Sequence, residues 1–246
     1  MNYRRVLITL SVIAIVICIS LFAVDKYHDK KARETIETIQ EISRKGIKDE
    51  PDGYTSPINF SELKKINTDI YAWMVIKGTN VDLPVLRRKD DNSYYMNRDI
   101  TERYSGGGSL YSENYNQATF DDKVTIVYGH NMRDGSMLGE MRNYSKEEYF
   151  SKNNHMTIYL PQSEKHYELV GAIPFDNRHI MLSYDFSKKR DFESLVYELL
   201  NVRNLNARYA QDAHIDKNDR IVILSTCYFG RRDMRYLIIW KEITKQ

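Results

Sequence analysis

Three residues of this 246-residue chain combine side-chain type and spacing in a way that could do chemistry: Cys227, His130 and Arg235. Cys227 lies near the end of the apolar run 220–229 (RIVILSTCYF), which reads as a strand. Alternation puts Ile221, Ile223, Ser225 and Cys227 on one face and Val222, Leu224 and Thr226 on the other. A thiol attacks a carbonyl as its thiolate, and an ordinary cysteine of pKa about 8.5 is only a few per cent ionised at neutral pH, so a nearby cation would help. His130 ends the strand-like run 123–131 (KVTIVYGHN), and an imidazole there could carry protons as a general acid and base. Arg235 opens the run 234–243 (MRYLIIWKEI) and alternates with Leu237 and Ile239. A permanent charge sharing a face with apolar residues is costly unless it is paired or used. If the last two strands pair, Arg235 and Cys227 lie close across the ladder. The chemistry that fits is acyl transfer through a thioester, with His130 protonating the leaving amine and deprotonating the incoming one. Arg235 would donate hydrogen bonds to the oxyanion or the substrate backbone. Taken singly, each residue has a plainer reading: a cysteine packed as a small hydrophobe, a hydrogen-bonded histidine at a strand end, and Arg231 or Arg232 in the preceding turn in place of Arg235.

Other chemistries find little support. His28, His155, His166, His179 and His214 show no metal-ligand spacing with one another or with cysteine, so no metal or cofactor is expected. Gly106, Gly107 and Gly108 lack the Gly-Lys-Ser/Thr that a phosphate loop needs. The 36 Lys+Arg against 34 Asp+Glu leave a formal charge of +2, which argues against nucleic acid as the main partner. Two cysteines exclude a disulfide-stapled scaffold.

The elements that must position these residues begin at residue 53 or later. Before them, residues 6–24 (VLITLSVIAIVICISLFAV) carry no charge. As a helix they span about 28 Å, the thickness of a bilayer's hydrocarbon core. The run is long for a signal peptide, and Leu21-Phe22-Ala23-Val24 is a poor cleavage site, so an uncleaved transmembrane anchor is expected. The five-residue tail before it and the large domain after it favour an inside N-terminus and an extracytoplasmic domain. Cys18 falls within the span, which leaves Cys227 as the sole cysteine outside it. Residues 25–57 read as a charged helical stalk with Ile36, Ile39 and Ile42 as a narrow apolar stripe, closed by a turn at Pro51-Asp52-Gly53. Residues 58–246 form the main domain. A short capped helix at 59–66 precedes strand-like runs at 71–78, 81–87, 109–114, 123–131, 155–161, 166–175, 220–229 and 234–243. Pro84 marks the second run as an edge or bulged strand. Helices are expected at 135–150 and 187–203, with a helical turn at 91–99. The sum is a mainly β fold: an eight-stranded, closed or nearly closed β-barrel with peripheral helices, preceded by the N-terminal transmembrane helix.

The combination Tyr128-Gly129-His130-Asn131, then Leu224-Ser225-Thr226-Cys227, then Arg235, resembles the sortase transpeptidases. The Leu-Ser-Thr-Cys string, the helix between the last barrel strands and the N-terminal anchor resemble class B sortases in particular, and the likeness runs over about residues 58–243, including Asp91-Asn92-x-x-Tyr95. The resemblance implies a sortase-type barrel whose catalytic residues are Cys227, His130 and Arg235. It implies that Asn92, Tyr128, Tyr184, Ser225 and Thr226 line the groove for a sorting peptide. It further implies cleavage of a C-terminal pentapeptide signal of a surface protein after its Thr, and transfer to an amine of a cell-wall peptide precursor in a Gram-positive-type envelope. Class B members are often linked to haem–iron uptake proteins or pilus assembly. Two other readings of the residues stay open: a hydrolytic cysteine peptidase, and a membrane-tethered β-barrel binding module in which Cys227 is merely buried. Papain-like enzymes run Cys before His, and the caspase and L,D-transpeptidase motifs are absent.

Overall fold

The computed structural model describes residues 3–47, 53–231 and 233–243. Pro51 and Asp52 of the expected boundary turn, and Arg232, lie outside the described residues. A helix, α1, runs without interruption from Tyr3 to Arg44, joining the apolar run and the stalk in one rod. Its stretch Leu7–Val24 is long and apolar enough to cross a membrane, and none of that stretch is buried against the rest of the chain. The stalk half does pack: Ile39 is buried, Ile36 and Ile42 are partly so, and Arg33 pairs with Asp134 at 2.9 Å. The helix α2 (Phe60–Ile66) starts where Asn59 accepts a hydrogen bond from the Glu62 N–H at 3.2 Å, and it buries Phe60 and Leu63.

Among the described residues nine strands follow: β1 (Ile70–Ile76), β2 (Asp82–Leu86), β3 (Leu110–Tyr111), β4 (Val124–Tyr128), β5 (His155–Tyr159), β6 (Glu164–Asp176), β7 (Arg208–Tyr209), β8 (Ile221–Cys227) and β9 (Met234–Ile243). They are ordered β5-β1-β2-β3-β4-β8-β9-β6, and β5 pairs back onto β6 to close an eight-stranded barrel. The two-residue β7 adds to β6 at Gly171 and Ala172, outside the closed ring. Helices sit at the periphery: α3 (Glu147–Lys152), α4 (Ile180–Ser183) and α5 (Lys189–Leu200). Period-two alternation divides β8 and β9 between two cores. Val222, Leu224, Tyr236, Ile238 and Trp240 pack with Met74, Tyr144 and Tyr167 inside the barrel. Ile221, Ile223, Leu237 and Ile239 face outward beneath Phe192, Leu195 and Leu199 of α5. Covering each such side chain is worth roughly 1.5–3 kcal/mol, which explains why the covered part of the outer barrel face is apolar here.

Two local expectations need correction. Pro84 does not mark an edge: β2 lies between β1 and β3. The proline is tolerated because β3 joins β2 only at Val85 and Leu86, so no ladder donor is missing at residue 84, and the irregularity falls instead in β1 between Ile70 and Ala72. The expected helix over 135–150 is divided into a 3₁₀ segment, Gly139–Ser145, and α3, because Lys146 between them is extended.

Candidate active site

The site forms where β4, β8 and β9 end together. β4 and β8 are parallel, with Val124 opposite Ile221 and Tyr128 opposite Ser225. The pairing continues past the strand end: the Gly129 N–H donates to Ser225 O at 3.2 Å, and Asn131 Nδ2 donates to Cys227 O at 2.9 Å. His130 and Cys227 each lie two residues beyond the Tyr128–Ser225 pair, at the ends of adjacent parallel strands. β8 and β9 are antiparallel, and their last pair is Cys227 opposite Arg235. Arg235 Nη1 lies 4.0 Å from Cys227 Sγ and donates toward it. Residues 221–226 are buried, whereas Cys227 emerges from the core and is exposed. Half-buried His130 places Nε2 2.7 Å from the Met96 carbonyl oxygen. Arg231 is engaged elsewhere: it grips Asp233 through Nε at 2.9 Å and Nη2 at 2.8 Å, and the guanidinium pulls the Asp233 carboxyl down to about 2. Arg235 is therefore the described arginine that faces the thiol.

On one side of Cys227 a cleft is lined by Tyr128, Asp176, Arg178, His179, Ser225 and Arg235. Its organising group is Glu113, a buried carboxylate that accepts from Tyr128 OH at 3.1 Å and lies 2.9 Å from His179 Nε2. Tyr111 stacks on Tyr128 with ring centres 5.4 Å apart. Burial first, and Glu113 second, push the Tyr111 hydroxyl up to about 12, while Arg235 opposes the shift. The Tyr128 hydroxyl is raised further for the same two reasons, so it remains a neutral donor.

Known proteins of the same fold and similar sequence exist. The chain matches sortase B of Clostridium perfringens at 27% identity and a TM-score of 0.67, covering 76% of this chain and 100% of that one. Among curated relatives it is 28% identical to sortase B of Listeria monocytogenes, over 68% of this chain and 65% of that protein's length. It is 26% identical to sortase B of Staphylococcus aureus over 99% of both chains. No family model matches. These similarities support a class B sortase.

Of the residues expected at the site, the fold pairs Cys227 with Arg235, lines one cleft with Arg235, Tyr128 and Ser225, and puts His130 just past the end of β4 beside β8. Tyr184 is tied in through Arg178, whose Nη1 donates to its hydroxyl at 3.1 Å, while that hydroxyl donates to Glu198 at 2.7 Å. Asn92 uses its side-chain oxygen to accept from the Asn114 N–H at 2.7 Å, shaping the loop after β3. Thr226 lies opposite Tyr236, whose ring faces the barrel interior, so its side chain points away from the cleft and its buried hydroxyl finds no partner. Glu113 and His179 escaped the sequence reading. The one local sign was Glu113 sharing the strand face of Tyr111, two residues before it.

A second cleft, about 520 Å³, opens on the other side of the thiol and is bordered by Asn131, Arg142, Lys146, Asn206, Tyr228 and Phe229. The rings of Tyr228 and Tyr236 are 5.8 Å apart, and Asn206 holds both, donating to Tyr228 OH at 2.5 Å and accepting from Tyr236 OH at 3.0 Å. The exposed Lys146 has no ion-pair partner among the described residues, and the Arg142 guanidinium donates to the Arg133 carbonyl at 3.0 Å. The Asn131 side-chain oxygen is left without a partner. Among the described residues no cluster of His, Cys, Asp and Glu could hold a metal ion.

Proposed function

We propose that this chain is a membrane-anchored transpeptidase that cuts a surface-protein sorting signal after its Thr and transfers the acyl group to an amine of a cell-wall peptide. The observation that carries the reading is the exposed Cys227 thiol 4.0 Å from Arg235 Nη1, with His130 just past the end of the adjacent parallel strand β4. The Cys227 thiolate attacks the Thr carbonyl carbon, forming a C–S bond and an oxyanion. Arg235 donates to that oxyanion, or to the substrate backbone that fixes the carbonyl, where a fixed positive fork is worth most. As the C–N bond breaks, His130 protonates the departing amine. In the second half the acceptor amine attacks the thioester, His130 takes its proton, and the C–S bond breaks to restore the thiolate.

The donor peptide lies along Tyr128, Ser225 and His179, with Tyr184 supporting Arg178 from behind. Asn92 contributes through the loop it shapes, and Thr226 through its backbone. The acceptor enters by the second cleft, where Arg142 and Lys146 favour a peptide carrying carboxylates. Residues 1–5 form an inner tail, residues 6–24 the span, residues 25–57 the stalk, and residues 58–246 the extracytoplasmic catalytic domain. The deciding experiment offers the full chain quenched sorting-signal peptides with and without amine acceptors. Cleavage that is abolished by Cys227→Ala, and that turns into ligation when an amine is added, supports the reading. Cleavage surviving Cys227→Ala defeats the mechanism, and hydrolysis that no amine diverts makes the chain a peptidase.

A further inference from the structure

The glycine run at 106–108 is no phosphate loop, yet it backs the segment that touches His130. Met96 lies in a 3₁₀ turn, Tyr94–Asn97, and its carbonyl oxygen is 2.7 Å from His130 Nε2. A carbonyl can only accept, so the hydrogen sits on Nε2 whether the ring is neutral or charged. Nδ1 is then the one ring nitrogen free to gain and lose a proton. The turn is clamped from behind: Tyr95 O accepts from the Ser109 N–H at 3.0 Å, Asn97 O from the Ser105 N–H at 3.0 Å, and Arg98 O from Ser109 Oγ at 2.9 Å. Gly108 has φ +57°, and a Cβ there would meet Met96 O at 2.5 Å and Tyr95 O at 2.7 Å. Both contacts are with backbone, which cannot swing aside, and both are shorter than van der Waals contact permits. Its neighbours differ: a Cβ on Gly106 would meet nothing within 4 Å, and one on Gly107 would touch only the Met132 and Met137 side chains, at 3.7 Å.

We propose that the Met96 carbonyl orients His130 and selects its Nε2–H tautomer, that proton transfer in the thioester cycle runs through Nδ1, and that Gly108 is the positioning residue that lets the carbonyl reach the ring. The arrangement does with a main-chain oxygen what a carboxylate or amide does behind other catalytic histidines. It rests on the reading of His130 as the acid and base of a transpeptidase.

The test uses the full chain in detergent, with imidazole nitrogens labelled for NMR and peptide turnover measured alongside. The neutral His130 ring should show a protonated Nε2 and an unprotonated Nδ1. Gly108→Ala should lose that tautomer preference and lower kcat by about tenfold or more, with KM little changed. Gly106→Ala should alter neither. An Nδ1–H tautomer in the unmodified protein overturns the proposal, as does a Gly108→Ala variant that keeps both tautomer and turnover. A Gly106→Ala loss equal to that of Gly108→Ala overturns it too. If Gly108→Ala does not fold, the tautomer of the unmodified protein still decides. His130→Ala separates the two readings: full turnover in that variant defeats the acid–base role, whereas the wrong tautomer with an inactive His130→Ala defeats only the orientation.

Discussion

Cys227 and Arg235 face each other across the last pair of the β8–β9 ladder, with the guanidinium Nη1 4.0 Å from the thiol sulfur. One antiparallel pairing thus sets a thiol and a permanent cation together at the barrel rim, and neither needs a flexible loop to reach the other.

Removing that cation should be costly and specific. Arg235→Ala should lower kcat/KM for a sorting peptide by roughly 10²–10³, the range for a lost oxyanion donor, and Arg235→Lys should recover only part of it because a point charge cannot reproduce a planar fork. Arg231→Ala should stay within about twofold, since Arg231 is bound to Asp233. Equal losses for the two variants would remove Arg235 from its assigned role.

Glu113 joins Tyr128 to His179 on the wall of the cleft that also holds Arg178 and Arg235. Glu113→Gln keeps the shape but weakens both contacts. We expect a several-fold higher KM for the donor peptide and a stability loss of about 1–3 kcal/mol, the range for disturbing a buried hydrogen-bonded group. Unchanged KM together with unchanged urea stability would show that the carboxylate organises nothing.

The second cleft predicts a partition effect. Reversing both Arg142 and Lys146 to Glu should raise the ratio of hydrolysis to ligation several-fold when the acceptor is a carboxylate-bearing peptide amine, and less for a small neutral amine. Product ratios by chromatography measure this. An identical ratio for both acceptors would place the acceptor elsewhere.

Acid should loosen the donor wall. Hydrogen bonding and ion pairing to Arg178 hold the Asp176 carboxyl below its ordinary value. A depressed folded-state value means that the pair's contribution is complete above the unfolded value, about 3.9, and disappears as pH falls through the lower folded one. The stability advantage of the unmodified protein over Asp176→Asn should therefore be constant near neutrality and shrink as pH falls below the unfolded carboxylate value. With 45% of the Asp176 side chain exposed, the advantage should not exceed about 1 kcal/mol. An advantage that grows on acidification would reverse the assigned sign.

Much of the molecule was legible along the chain because its signals are local. Alternation in 220–229 and 234–243 placed Cys227 and Arg235 on strands that could pair, and the eight-stranded barrel followed from counting such runs. The period of α5 and the uncharged run at 6–24 are equally local properties. Pairing partners are not. Whether Pro84 sits at an edge depends on which strand lies beside β2 and where that contact begins. Alternation separated Ser225 from Thr226, but only the cover of α4 and α5 and the filling of the barrel decided which of them looks onto a cleft.

By itself the sequence determined which residues can do chemistry, which segments are strands, and that a thiol, an imidazole and a guanidinium stand at strand ends. Tertiary structure alone decided that Glu113 bridges Tyr128 and His179, that Arg231 is occupied by Asp233, and that a carbonyl 34 residues upstream holds His130. The physical reason is range. Side-chain period and propensity act within one element, whereas hydrogen bonds between distant segments exist only once the closed sheet has fixed every register at once.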